Sequence, residues 1–443
     1  MIMAAPPTWT MYWAPRYIER FRCITSACEQ ICCAGWRVAM DQPHYESLRH
    51  AMDDSAEERE RFERLVERVP GAPTDSEYFA TVQMQANGHC AFLDDDRLCS
   101  VQRRYGEAFL GNMCAIYPRD ISFVHDRIEV TATLSCPEVA RQCLLARDAM
   151  EMDYRHQQPL PRQHLLRRLH ADPDDSYLKH FDLIRNTMLK LLSAKRYPLA
   201  SRLFFTVYLA QKTAPFFGRG TQPFEERRLA EELENLEREA VLDELHRQFH
   251  GMAIPASWAL KIIRVIVLAR LQVRIPAFHQ LVVDGLSSYA LPASAPAARA
   301  DTISIPREEV WKQYQRRRRY WTTTLGWRLD QMFGNYCQNY WLRDWYVMSP
   351  NLLVHTQKLL VRLAILRFLL FSHPRLRIQQ DAASHDQTDM GARRSALEIT
   401  SVEVSYKVLR ALEHDPSFLD NVQQALQAEG ADSVAHLMFL LKF

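Results

Sequence analysis

Sulfur is spread so unevenly along this chain that it fixes where any unusual chemistry must sit. Nine of the ten cysteines fall before residue 144, and Cys337 stands alone in the rest of the 443 residues. Four of them, Cys23, Cys28, Cys32 and Cys33, lie within Phe21-Arg-Cys-Ile-Thr-Ser-Ala-Cys-Glu-Gln-Ile-Cys-Cys-Ala-Gly-Trp36; Cys90, Cys99, Cys114, Cys136 and Cys143 follow. Thiolates are soft ligands that suit zinc and iron–sulfur clusters, and short spacings let one loop wrap a metal. Spacing alone does not separate the two, and the adjacent Cys32 and Cys33 point in different directions.

The redox compartment bears on this. Met1 to Pro15 lacks a basic region followed by a continuous apolar run, so no secretory signal is read there and a cytoplasmic chain is expected. In a reducing cytosol clustered thiols serve as metal or redox ligands rather than as disulfides. Export would instead allow four bridges with one cysteine left over, and small buried thiols packing as apolar side chains are a third reading. His89 and His125 read as surface or hydrogen-bonding side chains before they read as ligands.

The fold expected is mainly α: a small irregular α+β cysteine-cluster module at 1–145, packed on an all-helical body at 146–290, with a C-terminal helical region at 301–443. Residues 1–20 read as an irregular lead-in. A helical pattern opens at Pro43 and carries Leu48, Met52, Phe62 and Leu65, with its charged face toward solvent. His89 to Cys99 reads as two short strands about an acidic turn. Met113 to Arg119 reads as a proline-bound loop, and Ile121 to Leu134 as a hairpin around His125-Asp126. Ser135-Cys-Pro137 opens a helix.

From about residue 160 helices dominate: one behind the cap Asp172-Pro-Asp-Asp-Ser176, others at Ala200 to Phe217, Glu225 to Phe249 and Trp258 to Leu271. Pro292 to Ala300 has linker composition. Trp311 to Tyr346 holds five of the nine tryptophans. A polar loop is read at 378–394, with closing helices from Ala396.

Leu359 to Phe371 is the most membrane-like stretch, but it is far shorter than the roughly 20 apolar residues a spanning helix needs, and it contains Arg362 and Arg367. It reads as a buried helix, so no membrane partner is expected. A net charge of +2 gives no global reason to expect nucleic acid. The run Gln315-Arg-Arg-Arg-Arg-Tyr-Trp321 looks like a basic, aromatic nucleic-acid patch, yet four arginines in a row point all round a helix. A solvated helix edge is the preferred reading, ahead of protein or acidic-surface contact. Tyr336, Tyr340, Trp341, Trp345 and Tyr346 repeat at helical spacing, as core packing does before a substrate channel.

The segment Phe21 to Asp41 resembles the opening signature of the flagellin lysine-N-methylases, the FliB family. Cys90-Ala-Phe-Leu…Leu98-Cys, Cys114-Ala-Ile-Tyr-Pro-Arg119 and Leu134-Ser-Cys-Pro-Glu-Val-Ala-Arg141 continue the likeness in order over about residues 15–145. Weaker likeness appears at Phe333-Gly-Asn-Tyr-Cys-Gln-Asn-Tyr340 and Val408 to His414. The first three pieces also resemble YkgJ-type cysteine-cluster proteins, so a non-enzymatic zinc- or iron-binding protein with a helical scaffold is the competing reading. The FliB resemblance implies an S-adenosylmethionine-dependent lysine N-methyltransferase with flagellin as its protein substrate. It also implies an iron–sulfur cluster of the [4Fe–4S] type, with zinc as the alternative. The matching ligand positions are Cys23, Cys28, Cys32, Cys33, Cys90, Cys99, Cys114 and Cys136; Cys143 and Cys337 are weaker candidates.

Two familiar methyl-donor signatures are missing. No glycine-rich strand-to-helix turn is found; Gly218-Arg-Gly-Thr-Gln-Pro223 breaks that pattern and reads as a plain turn. No Cys-x3-Cys-x2-Cys occurs, because Cys28-x3-Cys32 is followed at once by Cys33. Neither a general base nor a donor pocket is assigned from the sequence.

Overall fold

The computed structural model describes residues 10–157, 162, 166–170, 175–213, 226–253, 255, 257–259, 261–262, 276–289, 308–378, 387–414, 421, 424, 428 and 434–442. The turn at 218–223, the linker at 292–300, the cap residues 172–174 and most of 258–271 lie outside them. The chain forms two compact units, residues 1–142 with 151–169, and residues 143–150 with 170–443. The fold is mainly α, as the periodicity predicts.

The first unit contains two sheets. Strand β1 (Thr10–Pro15) leads directly into the short helix α1 (Arg16–Arg20). A second group comprises β2 (Ala39–Met40), α2 (Gln42–Ala51), α3 (Ala56–Leu65), β3 (Val66–Arg68) and β4 (Ala80–Val82). The continuous helical pattern read after Pro43 is thus two helices, broken at Met52–Asp54 because Ser55 caps the second through the Glu58 N–H. Asp41 caps α2 in the same way through the His44 N–H. Helices α4 (Ser100–Arg104) and α5 (Asn112–Ile116) follow; α5 replaces most of the loop expected before Arg119. The hairpin β5 (Arg119–Val124) and β6 (Arg127–Ala132) turns at His125-Asp126, as the alternation predicts. Helix α6 (Pro137–Leu145) begins after Cys136.

The lead-in, read as irregular, is corrected by β1. So is the purely helical reading past residue 145, because β7 (Met152–Gln157) and β8 (Arg167–Leu169) complete the larger sheet in the order β7-β1-β6-β5-β8. β1 pairs parallel with β6 and antiparallel with β7, with Tyr12 opposite both Ile128 and Arg155. The Tyr17 hydroxyl accepts the Ala132 N–H at 2.8 Å, tying α1 to the end of β6. The smaller sheet runs β2-β4-β3. Its apolar core is built from Val38, Met40, Leu48, Phe62, Phe79 and Phe92 among others, and Cys33, Cys90, Cys99 and Cys114 sit in or against it.

The second unit is helical over its described residues. It comprises α7 (Ser176–Lys179), α8 (Phe181–Ser193), α9 (Leu199–Thr213), α10 (Glu226–Asn235), α11 (Glu239–His250), α12 (Pro276–Ser287), α13 (Glu308–Arg343), α14 (Leu352–Ser372), α15 (Gln387–His414) and α16 (Val434–Lys442). The single helix expected at Glu225 to Phe249 is split at Leu236–Arg238, and α15 begins at Gln387 inside the stretch read as a loop. Helix α14 is the hub, packing against α9, α12, α13, α15 and α16. Apolar residues run all round it, and Leu359, Leu360, Leu363, Ile365, Leu366, Phe368, Leu369 and Leu370 are all buried, which is how a helix without a polar face behaves in a core. No described helix is long and apolar enough to cross a membrane.

Candidate functional site

The cysteine loops are held by backbone pairing rather than by long regular elements. The Cys90 N–H donates to the Cys33 carbonyl at 2.8 Å, beside an isolated bridge between Ala34 and His89. A further bridge joins Leu93 to Cys99, so the two expected strands are reduced to single pairs about the acidic turn Asp94-Asp-Asp96. Arg103 closes that turn by pairing with Asp94 and Asp96, and Arg97 reaches across to the Cys28 carbonyl at 3.1 Å. The indole N–H of Trp36 fixes the Cys32 carbonyl at 2.8 Å. The first cysteine loop and the Cys90–Cys99 loop are thereby stitched into one surface.

Five thiols share one electrostatic neighbourhood. Cys32 and Cys33 lie 3.8 Å apart, sulfur to sulfur. That contact, and burial after it, drives the Cys33 thiol far above the ordinary range, with the charges of Cys32, Cys114 and Cys99 adding to it. Burial pushes Cys90 up to about 11 and Cys114 up to about 12, each further opposed by neighbouring thiolates. Cys99 is raised by burial, against the pull of the Gln102 and Val101 N–H groups. Mutual raising of this kind means proximity: a thiolate formed at one position penalises the next.

Cys23, Cys28 and Cys136 form a second group. Burial raises Cys136 to about 12, with Cys28 and Cys23 adding to it. Cys28 is raised by burial and couples to both Cys23 and Cys32, so it links the groups. Arg141 fastens this corner by pairing with Glu29 and Glu138. All eight expected ligand positions therefore fall in one unit, divided five and three.

The weaker candidates stand elsewhere. The thiol of Cys143 faces the Met150 sulfur at 3.9 Å and is raised by burial alone. Cys337 is fully buried in the second unit and raised to about 12 by burial. His125 occupies the β5–β6 turn with a φ of 53°, while His89 pairs its backbone with Ala34 beside the five-thiol group.

The donor chemistry fits a soft cation. Each shifted thiol is costly to ionise where it sits, a cost that a metal would offset on binding. As the side chains stand, no three His, Cys, Asp or Glu among the described residues converge to hold a metal ion.

The aromatic segment in the second unit packs as core. Tyr336, Tyr340, Trp341, Trp345 and Tyr346 are all buried. Two of them flank His355, whose ring lies 4.7 Å from that of Tyr340 and 4.8 Å from that of Trp341. Arg362 sits over the Tyr340 ring and pairs with Asp344 at 3.1 Å. The tetra-arginine run divides: Arg317 is buried and donates to the Ser288 hydroxyl and carbonyl at 2.8 and 2.7 Å, and Arg318 donates to the Lys442 carbonyl, while Arg316 and Arg319 stay outward. The solvated-edge reading holds for only two of the four.

Comparison with known proteins places the second unit in a family. Residues 185–440 match the family model described as the FliB lysine N-methylase C-terminal domain. Proteins named lysine-N-methylase from Salmonella typhimurium and Salmonella choleraesuis are each 27% identical over 139 residues, covering 31% of this chain and 33% of the relative. The match thus spans about a third of the length of those curated relatives. The flagellar biosynthetic protein FliU of Salmonella muenchen is 27% identical over 139 residues, 79% of its own length. No solved structure matches.

Proposed function

Because the chain belongs to the FliB lysine N-methylase family, we propose that it methylates lysine side chains of flagellin in the cytoplasm, with S-adenosylmethionine as donor. The observation that carries this reading is the match of the lysine N-methylase family model across most of the second unit. The flagellar name of one relative supports flagellin as the substrate. In the reaction the lysine nitrogen forms the new N–C bond as the sulfonium S–C bond breaks. S-adenosylhomocysteine leaves, and the amine gives up a proton; a desolvated site favours the neutral amine this requires.

The eight cysteines are proposed to bind an iron–sulfur cluster, with Cys32, Cys33, Cys90, Cys99 and Cys114 as the group from which its ligands are drawn. Their closeness and mutual coupling, with sulfur the principal donor type in the group, support this assignment, and zinc held by the same thiols is the alternative. When bound, such a cluster supplies reversible electron transfer and iron able to ligate a polar group. The chain's part is to hold the thiols together, with Cys33, Cys90, Cys99 and Cys114 in or against the small sheet's core and Cys32 at the surface.

The test is mass spectrometry of flagellin from strains with and without this protein. One-methylene mass increments on lysine residues are expected only in its presence. Unmodified lysines in a strain making both proteins would sink the methylase reading.

A further inference from the structure

Among the described residues of the second unit, Trp327 on α13 is the largest apolar side chain left in solvent, 49% exposed. Three guanidinium groups lie against its ring: those of Arg147 and Arg394 each at 5.5 Å from the centroid, and that of Arg328 at 5.9 Å. The ring is therefore no open platform. Its effect is to fix the arginines around it, since a guanidinium on an aromatic face keeps its N–H donors at its rim.

The three arginines differ in what else they meet. Arg328 is buried and engaged by Glu398 at 2.7 Å, the Leu145 carbonyl at 2.9 Å and Gln331 at 2.7 Å. Arg394, exposed on α15, gives its Nε to the same Glu398 oxygen at 2.7 Å. Arg147 is exposed and makes no hydrogen bond or ion pair among the described residues. One carboxylate thus serves three guanidinium groups. Burial lowers Arg328 against the pull of Glu398, and Arg394 and Arg147 add to that lowering, so their charges are felt at one place.

Arg147 is also held in position. The chain before it is pinned to α13: the Asn335 side chain donates to the Cys143 and Ala146 carbonyls at 2.8 and 3.0 Å, and Arg328 donates to that of Leu145. A cation fixed at its backbone and at its ring contact, with no carboxylate of its own, is preorganised for one from outside.

The chemistry suits carboxylates on a peptide. A guanidinium takes a carboxylate through two parallel N–H donors. Acidic side chains on one side of an extended segment recur roughly every 7 Å, a spacing that two guanidinium groups sharing one ring can span. Duplex nucleic acid carries a charge about every 1.7 Å and is held by longer runs of cations. This surface includes Glu398, and the whole chain is only +2.

We propose that Arg147, Trp327 and Arg394 form a docking surface for an acidic, extended segment of the protein that this chain methylates, a choice of partner that rests on the methylase reading above. Arg147 and Arg394 take the carboxylates, and Trp327 keeps the two guanidinium groups in place. The same charge repels a lysine ammonium, so the surface binds substrate away from the point of transfer. It acts on affinity and not on the chemical step.

The full-length protein is titrated at low ionic strength with a fluorescein-labelled peptide of alternating glutamate and threonine, followed by anisotropy. The same peptide with glutamine for glutamate, and an oligothymidylate of equal charge, are the comparisons. The glutamate peptide is expected to bind most tightly and to weaken as salt is raised. Arg147→Glu should weaken it about tenfold, Arg147→Lys by less, and Trp327→Leu should weaken it with every charge intact. Both positions are exposed, so urea midpoints should match the wild type. In methylation of flagellin, Arg147→Glu should raise KM by a similar factor with kcat the same.

Failure of the glutamate peptide to bind overturns the proposal. So does binding unaltered in Arg147→Glu and Trp327→Leu, or equal binding of the glutamine peptide. Tighter binding of the oligothymidylate would overturn it in favour of a nucleic-acid contact. An unchanged KM beside weakened peptide binding would remove the methylated protein as the partner. A wild type that methylates nothing sinks the earlier reading instead, and the peptide titration still decides whether this surface takes acidic segments.

Discussion

At the scale of single residues, His355 is the side chain whose surroundings differ most from what its place in the sequence suggests. Its Nδ1 lies 3.2 Å from the Ser349 hydroxyl, while its Nε2, the Tyr336 hydroxyl and the Trp341 indole N–H have no partner among the described residues. Burial lowers its pKa from 6.5 to about 3; Asp344 pulls the other way, and Arg362 and Lys358 add to the lowering. The fold thus holds the neutral imidazole. Its stabilising share is complete above pH 6.5 and is lost as the pH falls from there toward 3. At full extent the loss is about 5 kcal/mol, taking 1.36 kcal/mol per pH unit. Urea midpoints should accordingly drop between pH 7 and pH 4 in the wild type, with a shallower drop in His355→Gln. Equal slopes in the two proteins would contradict the assignment. The cysteines were legible in the sequence because sulfur chemistry shows in residue type and spacing alone. His355 was not, because its surroundings come from helices that meet only after folding.

Among the elements, α14 was readable from composition and the edge strands were not. A run such as Leu359 to Phe371 with apolar residues on every side has nowhere stable to go but a core. Asn351 marks its start, its side chain accepting the Val354 N–H at 2.8 Å. Leu366, 1% exposed, should cost roughly 2–5 kcal/mol on truncation to Ala. Met348→Ala, at a position 77% exposed, should stay within about 0.5 kcal/mol of wild type. Denaturant unfolding of both variants checks this, and a small loss for Leu366→Ala would mean that the hub can collapse around the gap. Strands β1, β7 and β8 escaped the sequence reading for a different reason. Their partners are not their neighbours in sequence: β1 lies between β6 and β7, and β8 beside β5. Period-two alternation carries little information when a strand's neighbours are more than a hundred residues away, as for β1 and β7, or when, as in β8, it has only three residues to run over.

Across the whole molecule, the two units divide the chemistry. One holds the eight clustered cysteines; the other carries the whole family-model match. The proposed iron–sulfur centre can be tested along that division. Anaerobically purified Cys114→Ala should lose iron and visible colour, whereas Cys337→Ala should keep both. Scanning calorimetry adds a second readout: chelation should lower a transition in the wild type and leave the Cys114→Ala trace unmoved, since metal binding free energy is folding free energy for the unit that holds it. Colour retained in Cys114→Ala would remove that thiol from the ligand set. The division also accounts for what sequence patterns missed. A metal site announces its ligands by type, while a surface shared by α13, α15 and the segment after α6 is assembled from one tryptophan and arginines far apart in sequence.

Helix α13 leaves helical torsions at a single residue, Leu325, with φ −134° and ψ 32°, immediately before Gly326. Each residue of a regular helix turns the chain by about 100°, so one misplaced torsion resets the phase of everything after it. Before the break, Arg317, Arg318 and Trp321 are addressed to Ser288, Lys442 and Leu376. After it, Arg328, Gln331 and Asn335 are addressed to the carbonyls of residues 143–146. A straight rod of this length would have to aim both sets from one continuous spiral. The reset lets one rod be read in two independent frames, so its halves can be tuned to their neighbours separately.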